Sequence, residues 1–171
     1  VRPLGVPGGA RHLVVTDSDE HDEEGHIVED GGIRVNMVEK RLFKKLPLMH
    51  EEVAPPFLYG DHNPDIVITG WGSLYGLLRE AVDELSKNYG VAMLHFSEIY
   101  PFPGTEKFDY LGLLNRAHLS ICVEQNATGQ LARLMRTETG YEFGALLNKY
   151  DGRPFTVESL VKNLKGIIKK H

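Results

Sequence analysis

Asp65-Ile66-Val67-Ile68-Thr69 runs into Gly70-Trp71-Gly72-Ser73-Leu74-Tyr75-Gly76, after which Leu74, Leu77, Leu78, Ala81, Val82 and Leu85 recur along one helical stripe. A short β-branched run, a glycine-containing turn and an amphipathic helix together predict a strand that crosses over to a parallel neighbour. The alternation continues downstream. Val91–Phe96 and Leu119–Glu124 read as the second and third strands, and 143–147 as a fourth. Helical spacing covers 129–137 and 157–170, where Thr156 is placed to cap, and a weaker helical pattern covers 106–117. Four apolar runs with helical crossovers predict an α/β domain. Its sheet is mainly parallel, carries helices on both faces and is joined by right-handed connections.

Upstream of residue 65 the patterning changes. Gly5, Gly8 and Gly9 with Pro3 and Pro7 favour turns, and residues 12–16 offer one short strand without a neighbour to pair it. Eight carboxylates follow, Asp17, Asp19, Glu20, Asp22, Glu23, Glu24, Glu29 and Asp30, with no lysine or arginine among them. Mutual repulsion keeps such a segment solvated unless cations meet it. From 33 to 46 the period becomes helical. Val35, Val38, Leu42 and Leu46 line one stripe, while Lys40, Arg41, Lys44 and Lys45 lie away from it. Asp30 is placed to cap this helix and Pro47 to close it, and Pro55, Pro56, Gly60 and Pro64 mark an extended connector. The predicted organisation is an incomplete extension with a linking helix over 1–50, a linker over 51–64 and an α/β domain over 65–171.

Composition narrows the function classes. The chain has 171 residues, 42% apolar and 25% charged, with a formal net charge of −5. An acidic balance argues against a nucleic-acid partner, which needs a positive footprint. No apolar stretch is long enough to cross a bilayer, so neither membrane nor secretion is expected and the expected location is the cytoplasm. Cys122 is the sole cysteine. Internal disulfides and a thiolate-ligated iron–sulfur cluster on this chain are therefore excluded.

Several loops could carry chemistry, but none is complete. His21 and His26 lie in the acidic loop at a spacing that is no recognised zinc signature, so a polar turn facing a partner is the simpler reading. The segment from Gly70 to Gly76 could present amides to a phosphate at a helix start, with Ser73 as cap. Its G-x-G-x-x-x-G spacing and bulky Trp71 fit a strand-to-helix turn better than a dinucleotide site. His95 and Glu98 could form an acid–base pair at the end of the second strand, but no activated nucleophile accompanies them. Glu124, Gln125, Asn126, Thr128 and Gln130 gather directional donors and acceptors where the third strand ends, ahead of Arg133 and Arg136. Open α/β sheets bind at that edge. The absence of a base and nucleophile makes this group, with His21, His26 and Glu98, a candidate interface or supporting shell, and no catalytic, cofactor or metal residue is assigned. The alternative is a free-standing nucleotide- or anion-binding domain using the Gly70 to Gly76 loop.

Six strings in order along the chain carry a family resemblance. They are Glu20-His21-Asp22-Glu23-Glu24-Gly25-His26, Met37-Val38-Glu39-Lys40-Arg41, Gly70-Trp71-Gly72-Ser73, Tyr100-Pro101-Phe102-Pro103, Val123-Glu124-Gln125-Asn126 with Thr128-Gly129-Gln130-Leu131-Ala132-Arg133, and Asn148-Lys149-Tyr150-Asp151-Gly152-Arg153-Pro154-Phe155. Together they resemble the C-terminal part of the alpha subunit of 2-oxoacid:ferredoxin oxidoreductases, particularly the 2-oxoglutarate type. The resemblance implies that residues 1–50 are the tail of a pyrimidine-binding thiamine-diphosphate domain and that the following domain is transketolase C-terminal-like. It also implies a holoenzyme that converts a 2-oxoacid to an acyl-coenzyme A, using thiamine diphosphate, magnesium and [4Fe–4S] clusters to reduce ferredoxin. Such cofactors perform the carbon chemistry while protein groups orient them. None is expected on this chain alone. The implied partners are the remainder of the alpha subunit, the beta subunit and, through the holoenzyme, ferredoxin. An unpaired strand edge could also join two copies of the isolated chain.

Overall fold

The structure, a computed structural model, describes Gly9 and residues 19–171. The strand expected over 12–16 and most of the turn-rich start lie outside the described residues. The chain divides into two units, Val1–Met49 and His50–His171.

In the second unit a five-stranded sheet has the order β1-β3-β2-β4-β5. The strands are β1 (Phe57–Gly60), β2 (Ile66–Trp71), β3 (Val91–Phe96), β4 (Leu119–Glu124) and β5 (Ala145–Asn148). β2, β3, β4 and β5 are parallel, and β1 runs antiparallel along the outer edge of β3. Among the helices of the two units are α1 (Gly31–Glu39), α2 (Leu46–Glu52), α3 (Tyr75–Leu85), α4 (Tyr110–Arg116), α5 (Gln130–Thr139) and α6 (Val157–Ile168).

Strand alternation sends side chains to two separate cores. Ile66, Ile68, Met93, Ile121 and Val123 pack with Leu78, Leu85, Leu160 and Leu164 of α3 and α6. Val67, Leu94, Phe96 and Cys122 pack with Tyr110, Leu114, Leu131 and Met135 of α4 and α5. Every residue of β3 and β4 is buried. Continuous apolar strands are what a sheet covered on both faces requires, so the architecture matches the expected one. Thr156 caps α6 through a reciprocal pair with Ser159.

Four local expectations are corrected. The linker over 51–64 contains β1, whose register places Phe57 opposite His95 and Gly60 opposite Ala92. Proline flanks disguise a strand that needs hydrogen bonds on only one side. The fourth strand starts at Ala145 rather than 143, because Phe143 turns into the core beside Tyr141, with ring centroids 5.3 Å apart. Pro47 does not end the helix. Residues Lys40–Lys45 form a wide π-helical turn, and the Leu46 N–H reaches the Arg41 carbonyl, so the hydrogen-bond register has already shifted where the proline enters α2. Ser73 does not cap α3: it lies within the 3-10 turn Gly72–Leu74 and makes no capping bond.

In the first unit Asp30 caps α1 by accepting from the Ile33 N–H at 2.8 Å. The expected apolar stripe exists in sequence, but Val35 and Leu42 are exposed and Val38 and Leu46 are half-buried. No described helix is long and apolar enough to cross a membrane.

Candidate functional site

Chain order creates a crevice at the C-terminal rim of the sheet. After β2 the chain moves to β3 on one side, and it later returns to build β4 on the other side of β2. The loops leaving β2 and β4 therefore diverge, which is the switch point where open α/β sheets leave room for a ligand or partner. A cleft of about 310 Å³ opens here between Trp71, Gly72, Ser73 and Leu74 on one bank and Gln125, Asn126 and Gln130 on the other.

Glu124 forms the floor of this rim. It is fully buried, and its carboxyl oxygens accept from the N–H groups of Leu131 at 2.9 Å and Ala132 at 3.1 Å. Asn126 Nδ2 donates to it at 2.7 Å and Trp71 Nε1 at 3.3 Å. The Cys122 thiol also donates, at 3.6 Å. Burial and the neighbouring Glu124 push the Cys122 thiol upward in pKa, so it is no ready nucleophile. Asn126 Oδ1 in turn accepts from the N–H groups of Thr128, Gly129 and Gln130. Gly129 makes this bend at φ +65°. Gln125 holds the far side by accepting from the Phe155 N–H at 3.1 Å.

This network leaves little for an incoming phosphate. The first amides of α5 are already taken by the chain's own carboxyl and amide groups, and a carboxyl group occupies the place an anion would take. The glycines opposite have structural work. A Cβ on Gly70 would lie 2.5 Å from Leu78 Cδ1, so glycine lets β2 approach α3, and Gly72 turns at φ +57°.

The remaining candidates are dispersed. Thr128 and Gln130 are exposed, and of the two Gln130 lines the cleft. Arg136 pairs with Glu142 at 3.2 Å, while Arg133 is exposed with no ion pair among the described residues. His95 is almost fully buried, donates from Nε2 to the Gly72 carbonyl at 2.9 Å and meets the Tyr75 ring edge-on. Glu98 accepts instead from the Ala54 N–H at 3.1 Å. The pair expected from sequence is thus engaged in two separate structural tasks. Trp71 was missed as a member of the rim network, because only its bulk was legible. The position of Glu124, one residue past a buried run and shortly before a helix, was the available signal for a buried helix-start partner.

The acidic loop of the first unit is a self-bonded turn. Asp22 accepts from the N–H groups of Glu24 and His26, and its second oxygen lies 3.3 Å from His26 Nδ1. Residues His21 and Ile27 form an isolated bridge. Glu20 meets Arg41 through two bonds of 2.8 and 2.6 Å. Among the described residues no group of three or more His, Cys, Asp and Glu side chains is arranged to hold a metal ion.

The Arg41 guanidinium lowers the Glu20 carboxyl from 4.5 to about 2. A depressed carboxyl stabilises its fold above its unfolded pKa, and the contribution fades as pH falls from 4.5 toward 2. In Arg41→Ala the Glu20 titration, followed by carboxyl NMR, is expected to return toward 4.5. Persistence near 2 would show that Arg41 is not the cause.

No family profile matches the chain. It is 33% identical over 155 residues to the alpha subunit of 2-oxoacid:ferredoxin oxidoreductase 1 from Aeropyrum pernix, covering 88% of this chain and 24% of that protein. It is 32% identical over 175 residues to the 2-oxoacid:ferredoxin oxidoreductase alpha subunit of Saccharolobus solfataricus, covering 99% and 27%. Among solved structures, it is similar to a 2-oxoglutarate:ferredoxin oxidoreductase from Magnetococcus marinus with 2-oxoglutarate, coenzyme A and succinyl-CoA bound. That match has a TM-score of 0.69 and 26% identity, covering 97% of this chain and 28% of the other. The chain spans about a quarter of the length of the curated relatives it matches.

Proposed function

The chain belongs to the 2-oxoacid:ferredoxin oxidoreductase alpha-subunit family, and from that premise we propose that it forms part of an enzyme oxidatively decarboxylating 2-oxoglutarate or a related 2-oxoacid to an acyl-coenzyme A. Ferredoxin takes the electrons, and the enzyme works in the cytoplasm. This part of the alpha subunit supplies a scaffold and contacts to the rest of that subunit and to a beta subunit; it is not catalytic alone. The observation carrying the reading is the rim itself, where a topological switch point is lined by amide side chains and an indole, and Trp71 Nε1 and Asn126 Nδ2 are spent on Glu124 within the fold.

The described residues offer no ligand set for the implied magnesium or clusters. Among them no acidic or imidazole cluster could hold the magnesium of a thiamine diphosphate. The sole cysteine is buried and cannot ligate a [4Fe–4S] cluster with others of its kind. We assign the magnesium and the clusters to the rest of the assembly, and expect thiamine diphosphate and coenzyme A to be held there with them. We disfavour a free-standing nucleotide site at the Gly70 to Gly76 loop, because across the cleft the first amides of α5 are taken by Asn126 and Glu124.

Substrate choice is tested on the assembled alpha and beta subunits with ferredoxin, coenzyme A and a panel of 2-oxoacids. The expected result is a kcat/KM for 2-oxoglutarate at least about tenfold above that for pyruvate, a difference of roughly 1.4 kcal/mol in transition-state binding. A preference for pyruvate would overturn the 2-oxoglutarate assignment.

A further inference from the structure

We propose that Lys107 and Glu98 form a two-point latch that ends α2 and holds the chain at residues 51–54, and that the last turn of α2 frays when Lys107 lets go. The bonds concerned all lie within the second unit. A helix leaves its last carbonyls without partners unless the following chain or a side chain supplies donors. Four positions beyond Glu51 and Glu52 stand Pro55 and Pro56, which have no N–H to offer. Lys107 supplies donors from far along the chain: its Nζ donates to the Glu51 carbonyl at 2.6 Å and to the Val53 carbonyl at 2.9 Å. Its charge also sits where the helix dipole favours a cation. Glu98 takes the next group, accepting from the Ala54 N–H at 3.1 Å.

Both clamping side chains come from the loop between β3 and α4, and that loop is anchored in the core. Phe102 stacks on Phe96 with ring centroids 5.6 Å apart, and the Tyr110 hydroxyl donates to the Pro103 carbonyl at 2.6 Å. The segment it clamps is held less firmly. Val53 and Pro56 are buried and fix the approach to β1, but His50, Glu51 and Glu52 are exposed. Packing does not close the junction either, since a cavity of about 370 Å³ opens there, bordered by His50, Val53, Pro55, Gly104 and Glu106. The helix α2 crosses the boundary between the two units at Met49 and His50. One ammonium group therefore decides whether the polypeptide at that boundary stays helical or becomes a loose tether.

Amide exchange followed by NMR on the full 171-residue chain tests this. Lys107→Met keeps the aliphatic stem and removes the donors. Amides of residues 49–54 are expected to exchange at least about fivefold faster in it, while β2 and β3 exchange as before and the melting temperature stays within about 2 °C of the parent. Glu98→Ala is expected to accelerate Ala54 and to leave residues 49–51 as in the parent. Unchanged exchange over 49–54 in Lys107→Met would overturn the proposal. So would an acceleration shared equally by β2 and β3, which marks general destabilisation instead of a released helix end. Should Lys107→Met fail to fold, Glu98→Ala decides: a faster Ala54 beside an intact 49–51 supports the two-point arrangement, and an unchanged Ala54 overturns it.

Discussion

Glu124→Ala is expected to destabilise the α/β unit by roughly 3–5 kcal/mol, because it strips a buried acceptor from several donors at once. The N–H groups of Leu131 and Ala132, the Asn126 amide and the Trp71 indole all point at its carboxyl oxygens. An alanine leaves these donors in a space shielded from water, and unsatisfied buried donors cost more than an average hydrogen bond contributes. At about 2–4 °C per kcal/mol for a domain of this size, the melting temperature is expected to fall by roughly 10 °C. Trp71 is the only tryptophan, so its fluorescence reports the rim directly. A red-shifted emission is expected even where the variant remains folded. Glu124→Gln keeps the volume but sets an amide NH2 among donors, so an intermediate loss is expected. A Glu124→Ala protein melting within a degree of the parent would refute the network as a stabilising element.

Gly60→Ala is expected to cost roughly 2–4 kcal/mol through backbone strain and overpacking together. Gly60 closes β1 at φ +104°, where side chains are disfavoured, and an added Cβ would lie 2.6 Å from the Val91 carbonyl oxygen and 2.9 Å from Val82 Cγ1. Backbone oxygen cannot swing aside as a long side chain can, so relief requires moving the edge strand off β3. The amides of β1 paired to β3 are expected to lose hydrogen-exchange protection before those of β2. Gly76→Ala is the matched control: it lies in α3, with nothing within 4 Å of an added Cβ. There, replacing glycine in a helix is expected to stabilise by about 0.5–1 kcal/mol. Urea melts of the two variants measure both effects, and equal shifts would contradict the assigned strain.

The core of the fold was legible because its signals are periodic and local. Ile66, Val67 and Ile68 declare a buried strand, and Leu78, Val82 and Leu85 declare a helix with one buried side. Asp30 and Thr156 were readable as caps because a cap needs only its own short side chain and the next turn. The misreadings share a different cause. Phe57 to Gly60 looks like a connector when Pro55, Pro56 and Pro64 are weighed, since antiparallel pairing to β3 is a long-range event with no local period. Pro47 looks like a terminator unless the wide turn before it is known. Gln125, Asn126 and Gln130 follow β4, and their place after a strand is the sequence feature that puts them beside the cleft. The inward turn of Glu124 was signalled only by its place between a strand and a helix, because its donors come from residues up to eight positions later and from Trp71 on another strand.

The contrast between a well-packed second unit and a first one with no buried residue among those described bears on function. We read the loop from β4 to α5, held by Glu124 and Asn126, as an edge suited to fixing neighbouring parts. Arg133, exposed with no ion pair among the described residues, is the arginine we propose for a carboxylate on a partner.

The most direct test compares ferredoxin reduction by the purified chain alone with that by the assembled alpha and beta subunits, each supplied with 2-oxoglutarate, coenzyme A, thiamine diphosphate and magnesium. The expected result is turnover by the assembly and none by the chain. Turnover by the chain alone would contradict the account, since it would require a reaction centre that these residues do not build.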